Sequence, residues 1–352
     1  MKQATDLVRL SNPFKSFFLL FIIAITIISC DSSEEKIPDI SSVPEVDIEV
    51  IRMEKEIIAP KSKEAIAAFL NEHRDVAEKY FRAGRFASDT VVINNIYKFA
   101  TDVHTDTLLA DTEAVFANID NIEKEFEQAF RFLQYYYPGF KPPKIYTTVS
   151  GFGSFGFGQD IFLTEGFIVI GLDYFTGETA TYRPPETPLY ILGRYTPEYI
   201  VPSTMMFISS IYNNYNNQDE TLIADMIFYG KSYEFVHKVM PYTADTIITG
   251  YSSRELGLCN GFQDIIWGRF IEDNLFYEKA ENIKSRYVGE RPIVPEISDK
   301  CPGRVGRWLG WKIVKKYMQE HPDLSLKDLM DMNDAQMIFQ KSKYKPVKGG
   351  TS

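Results

Sequence analysis

Residues 144–173 read KIYTTVSGFGSFGFGQDIFLTEGFIVIGLD. Residues 144–150 and 161–173 are rich in β-branched and aromatic side chains, which predicts two strands. The stretch between them, GFGSFGFGQ, reads as a hairpin loop whose glycines supply dihedrals that other residues avoid. On the N-terminal side the period changes. Ile119, Ile122, Phe126, Ala129, Phe130, Leu133 and Tyr137 recur at helical spacing, with Glu123, Lys124, Glu125 and Glu127 on the opposite face, and Pro138-Gly139 ends the run. Further back, 47–53 alternates like a strand and 61–82 reads as a helix. On the C-terminal side, 174–194 is Pro- and Tyr-rich and irregular. Helices are then predicted over 197–216, 219–240, 252–278, 303–320, 324–331 and 333–340. Helices, a small sheet, then a helical half is the order of an α+β protein, mostly helical, and not of a repeated βαβ series.

The glycine-rich stretch invites three motif readings, and each fails on a residue. Gly151 to Gly156 fits G-x-G-x-x-G, but a dinucleotide site needs a helix opening on those glycines, and a strand is predicted instead. A phosphate loop ends in Lys-Ser/Thr; this one continues Phe157-Gly158-Gln159. A nucleophile elbow around Ser154 needs glycine at 152 and finds Phe152. The histidines, His73, His104, His237 and His321, show no i, i+4 spacing on a helix, so no metal site, cofactor or catalytic constellation is predicted.

The chain begins with Lys2, Arg9 and Lys15 against one acid, Asp6, followed by FFLLFIIAITII over 17–28. A basic leader and a short apolar run describe a secretory signal over 1–29; a membrane-spanning helix needs about 20 apolar residues. Ile27-Ile28-Ser29-Cys30 resembles a bacterial lipobox, in which the cysteine is lipidated and becomes the new N-terminus. Acyl chains on Cys30 then hold the protein to a membrane, each buried methylene contributing about 0.8 kcal/mol. Residues 30–46 are acidic and rich in Ser and Pro, a flexible tether ahead of a single domain over 47–348. The expected location is the cell envelope, facing the periplasm or the cell surface.

The chain carries a formal charge of −10, and removing the leader's three bases and one acid leaves about −12. Such a field disfavours nucleic acid, whose affinity rests on cations at phosphates. Cys259 and Cys301 remain after Cys30. In an oxidising compartment they are candidates for one disulfide, or stand as two buried thiols.

Residues 299–317, DKCPGRVGRWLGWKIVKKY, give two readings. Gly306 and Gly310 lie four apart and allow a second backbone close, so the segment reads as a buried helix. In the sharper reading Asp299, Arg304, Arg307, Trp308 and Trp311 form the rim of a binding groove where that helix begins.

The same segment, Cys301-Pro-Gly-Arg-Val-Gly-Arg-Trp-Leu-Gly-Trp-Lys-Ile-Val, resembles the C-terminal signature of the GldB family of gliding-motility lipoproteins of Bacteroidetes. Other pieces follow in the family's order: Gly171–Glu178, Arg194–Ile200, Tyr229–Glu234, Ile266–Glu272 and Ser342–Pro346. The resemblance implies an envelope lipoprotein that supports gliding and the associated secretion machinery by binding other envelope proteins or a peptide, without catalysis. The layout is also similar to a degenerate zincin-like metallopeptidase body. The helix that would carry H-E-x-x-H, Ser203–Tyr215, has no His, Glu or Asp. Two alternatives stand beside this: an envelope hydrolase acting on peptide or cell wall with a site assembled from distant residues, and a surface carbohydrate-binding lipoprotein using the aromatics of 174–215.

Overall fold

Alternation along two strands decides which residues face which layer. A computed structural model describes residues 36–154 and 158–346. Strands β1 (Val50–Arg52), β2 (Lys144–Thr148), β3 (Ile161–Leu163) and β4 (Phe167–Gly171) form one sheet in the order β1-β2-β4-β3. β1, β2 and β4 are parallel, and β3 runs antiparallel on the edge. All of β4 and all but Lys144 of β2 are buried, as parallel strands covered on both faces must be. Ile145, Ile168 and Ile170 point into one hydrophobic core, and Tyr146, Phe167 and Val169 into another.

The second core is covered by α1 (Lys63–Glu72), α2 (Arg74–Lys79), α3 (Thr90–Ala100) and α4 (Val103–Phe116), through Ile66, Phe69, Val76, Ile96, Phe99 and Leu108. The first and larger core takes α5 (Asp120–Tyr136), with Phe126, Ala129, Phe130 and Leu133 inward as the spacing predicts. It then takes the C-terminal half: α6 (Leu189–Leu192), α7 (Ile200–Tyr212), α8 (Leu222–Val239), α9 (Asp245–Thr249), α10 (Ser253–Gly261), α11 (Gln263–Glu272), α12 (Glu281–Val288), α13 (Val305–Glu320), α14 (Leu326–Asp331) and α15 (Ala335–Ser342). The architecture is α+β, mostly helical with a small sheet.

Three sequence expectations are corrected. The glycine-rich stretch is not a hairpin loop: it carries the chain from β2 past β4 to β3, and the hairpin is β3–β4, turning at Thr164-Glu165-Gly166. Its described part does hold unusual dihedrals, with Gly151, Phe152 and Gly153 at φ of 62°, 54° and 78°. These left-handed residues are tied down by Asp173, whose Oδ2 accepts from the backbone N–H of Ser150 (3.2 Å) and Phe152 (3.0 Å). Second, the 61–82 helix breaks at His73, which leaves the helical region with ψ of 61°. Third, residues 40–46 do not swing free. The Arg131 guanidinium donates to the carbonyls of Ile40 and Val43, and Ile40 and Val46 lie against the larger core. The leader, Cys30 and the start of the tether lie outside the described residues.

Helices α8 and α13 make the most extensive contact between any two described elements. They meet backbone to backbone at Gly230 and Gly310: a methyl added to Gly230 would lie 2.5 Å from the Gly310 carbonyl. Gly306 lies against Tyr287 and Val288 of α12 in the same way. The close approach that the Gly306/Gly310 spacing predicts is therefore present twice on one helix. Among the described residues no helix is long and apolar enough to cross a membrane.

Candidate functional site

Helix α13 starts at a tight turn that explains Cys301-Pro302-Gly303-Arg304. The Val294 N–H donates to the Cys301 carbonyl (2.8 Å), and Gly303 is pressed so closely on the Arg291 carbonyl that no side chain fits. Arg304 itself takes a left-handed conformation (φ 60°) and its side chain turns inward. Its guanidinium donates to the carbonyls of Thr249 (2.7 Å) and Gly250 (3.1 Å), the unsatisfied C-terminal end of α9, where a cation is favoured. It also lies over the Tyr251 ring, and the Tyr251 hydroxyl donates to the Gly303 carbonyl (2.6 Å).

One carboxylate gathers the arginines. Glu290 accepts from both terminal nitrogens of Arg194, at 3.1 and 2.8 Å, and forms ion pairs with Arg304 Nε at 3.4 Å and Arg307 Nη1 at 3.9 Å. Burial raises the Glu290 carboxyl, but the Arg194 hydrogen bond and the charges of Arg304, Arg194 and Arg307 outweigh it and hold it below the usual carboxylate range. Arg307 stacks at 4.1 Å over the Tyr229 ring and donates to the Val288 carbonyl.

These groups form one wall of a cleft of about 440 Å³. The other walls are Phe175, Tyr195 and Tyr199, and the exposed face of α7 through Ser203, Met206 and Phe207. Asp160 also lines it, but its carboxylate accepts from the Tyr195 hydroxyl (3.0 Å). Beyond the cleft, α7 continues a solvent-facing apolar stripe: Phe207, Ile211 and then Tyr215 just past its end are 47%, 65% and 62% exposed. Phe207 and Ile211, four apart on one helix face, are neighbours, and a contiguous exposed apolar patch of this kind is a candidate interaction surface.

Of the five predicted rim residues, the structure brings Arg304 and Arg307 to the cleft and leaves out three. Trp308 and Trp311 are fully buried; Trp311 Nε1 donates to the buried Glu234 (2.8 Å). Asp299 is exposed in the loop before α13 and does not line the cleft. The candidate disulfide is not formed: Cys259 and Cys301 are separate buried thiols, and burial pushes both up, Cys301 to about 12. Both lie in the larger core, and Cys301 is near enough to Cys259 to push its thiol up further. Arg194 and Glu290 went unread, although Arg194 opens one of the segments that carry the family resemblance.

The histidines are spoken for or scattered. His73 Nδ1 is hydrogen-bonded with Tyr146, His104 Nδ1 with Tyr182, and His321 Nδ1 with its own helix at the Tyr317 carbonyl. Among the described residues no three His, Cys, Asp or Glu side chains converge as metal ligands.

A family model described as gliding motility protein GldB matches residues 33–346. The chain belongs to the GldB family. Every segment of the sequence that resembles GldB lies within that match, and membership makes this a gliding-motility lipoprotein associated with the cell envelope. No curated protein and no solved structure matches the chain. The GldB signature around Arg304 thus has its physical reading from this fold alone: it seats a buried arginine and starts the helix that crosses α8.

Proposed function

We propose that this chain serves the gliding apparatus as a binding protein, lipid-anchored through Cys30, and that its working surface is the cleft and apolar stripe along α7. The observation that carries this is the composition of the α7 face. Ser203, Met206 and Phe207 line the cleft, and Ile211 and Tyr215 extend it, with no carboxylate, imidazole or thiol among them. A wall of aromatic and aliphatic side chains beside an arginine-rich corner suits recognition of a polypeptide. Its one aliphatic hydroxyl, Ser203, has no base beside it on α7 to activate it, its neighbours one turn away being Tyr199, Ile200, Met206 and Phe207. The partner is another envelope protein of the motility or secretion machinery, and the protein faces the periplasm or the cell surface.

The test is replacement of the native chain by a Phe207→Glu, Ile211→Glu variant. Both side chains are already solvent-facing, so the fold is retained. Membrane-fraction levels are expected to stay unchanged while gliding is lost, and motility or secretion components recovered with the native protein from gently solubilised envelopes are expected to be missing. Normal gliding by the double variant would refute the assignment of function to this face.

A further inference from the structure

Three guanidiniums share one carboxylate, Glu290, more donors than its two oxygens can each hold at close range. Arg304 is committed to the carbonyls of Thr249 and Gly250. Arg194 and Arg307 differ: each leaves 19% of its side chain exposed, and Glu290 leaves 36%. Among the other carboxylates nearby, Asp160 is held by Tyr195, and Glu255 closes the capping box of α10 with Ser252. Those hydrogen bonds leave both acids charged, so the wider corner sets three cations against three anions, and the excess of guanidiniums is local to Glu290. Arg194 engages Glu290 with two parallel N–H···O bonds, the fork geometry that recognises a planar carboxylate.

We propose that Arg194 and Arg307 receive the C-terminal carboxylate of a partner polypeptide, and that Glu290 holds that place within the chain itself. A chain terminus carries its carboxylate and its last side chain on one carbon. The cleft offers matching walls: guanidiniums on one side, and Phe175, Tyr195, Met206 and Phe207 on the other. Its volume, about 440 Å³, admits the last residues of a chain and no folded domain. Glu290 follows directly on the α12 terminus at Val288-Gly289. Its side chain reaches the arginines from the rim, so rotation outward exposes the Arg194 fork and uncovers Arg307 Nη1 without moving a helix. The incoming carboxylate replaces one that is already ionised, so no proton transfer is needed.

This inference rests on the cleft being a binding surface, and its test separates the two. Full-length protein in detergent is titrated against a fluorescein-labelled hexapeptide ending in Leu-Phe with a free carboxylate. The same peptide with a C-terminal amide, and a third ending in an amidated glutamate, serve as comparisons; polarisation is the readout. The free acid is expected to bind at least tenfold tighter than either amide. Glu290→Gln should tighten the acid about tenfold and leave the amides unchanged. Arg194→Gln should erase the preference while the thermal midpoint stays near that of the native protein; Arg307→Lys, which keeps the charge but loses the planar guanidinium, should weaken the preference and lower the midpoint as well, since it also gives up the Val288 carbonyl and the Tyr229 stack. Equal binding of acid and amide, or binding of neither by the Glu290→Gln protein, overturns the proposal. A glutamate amide as good as the free acid moves recognition to acidic side chains and overturns the terminus assignment. So does displacement of the acid by millimolar inorganic phosphate, which would show a general oxyanion site. If these fail while Phe207→Glu, Ile211→Glu still abolishes gliding, the ligand class is wrong and the binding face stands.

Discussion

Gly310→Ala should unfold this protein far more readily, although alanine is the better helix former by about 1 kcal/mol. The added methyl would sit 2.5 Å from the Met226 carbonyl carbon and nearer still to its oxygen, whereas ordinary contact begins at 3.4 Å. The obstacle is backbone, which cannot rotate away, so α8 and α13 must part by about an ångström. A gap of that size forfeits a quarter to a half of each dispersion contact, and some forty atom pairs at 0.1–0.2 kcal/mol lose about 2 kcal/mol together. Overpacking strain adds about 1–3 kcal/mol. Net of the propensity gain, about 3 kcal/mol is lost, or about 5 °C in Tm for a body of this size. The control is Gly257→Ala in α10, where a methyl meets nothing within 4 Å. That variant should gain about 0.5–1 kcal/mol. Urea unfolding followed by the fluorescence of Trp267, Trp308 and Trp311 reads both. If Gly310→Ala proves as stable as the native chain, the two helices do not cross at these glycines.

Burial pushes the Asp173 carboxyl up to about 6, so the folded chain holds a proton there that the unfolded chain has released. Stability from this group therefore falls as pH rises from about 4 to 6; Asp173→Asn keeps an acceptor for Ser150 and Phe152 and should gain on the native protein by up to about 3 kcal/mol between pH 4 and 7, read as a shift of the urea midpoint. Lys231, buried in α8, donates to the carbonyls of Asn214, Met330 and Met332, while burial pulls its ammonium down to about 7. The unfolded chain then binds the extra proton between about pH 7 and 10, so native stability should rise across that window; Lys231→Met should be less stable near pH 7 by about 1–3 kcal/mol for the stranded carbonyls, and its deficit should widen by about 1.4 kcal/mol per pH unit toward pH 9. Cys259 and Cys301 should resist alkylation in the native protein and both react after denaturation without reductant, as counted by mass spectrometry; failure to react would show a disulfide.

Much of the fold was legible because long periodic segments announce themselves. Five of the seven residues that the 118–137 spacing names are buried, with Ile122 and Tyr137 half-buried against the same core, and the Gly306/Gly310 pair identified a helix that another backbone approaches. The errors have physical causes. A run such as 161–173 reads as one strand because nothing in its periodicity marks Thr164-Glu165-Gly166, where hydrogen bonds from the Thr164 hydroxyl and the ladder of β3 with β4 fold it back. Helix α3 went unread because Thr90, Val91, Val92 and Ile93 favour strands locally, and only packing of Val92, Ile96 and Phe99 on the sheet makes them helical. Trp308 and Trp311 do share one side of α13, but that side is the core, since large aromatic surface gains most from burial. The site was half legible: Arg304 and Arg307 stand in one unusual segment, while Arg194 and Glu290 meet across 96 residues of chain, which no local pattern reveals.

The segments that carry the family resemblance are also the ones that touch each other. Tyr229–Glu234 lies along the 301–314 segment: Tyr229 under Arg307, Gly230 on Gly310, and Glu234 accepting from Trp311. Lys231 fastens the same helix to the carbonyls at the end of α14. Groups like these are costly to bury and costlier to strand, so each fixes its neighbour's identity. The signature is therefore largely a record of one helix crossing and its polar fittings, and most of it has no free valence for a ligand. Arg304 belongs to that structural set, because its hydrogen bonds run to the end of α9. Arg194 does not: its partner is the surface carboxylate of Glu290. Arg307 stands between the two, since it reaches Glu290 only at 3.9 Å while donating to the Val288 carbonyl and lying over Tyr229. Within one three-arginine cluster, then, the same substitution to glutamine should cost folding at position 304, binding at 194, and some of each at 307.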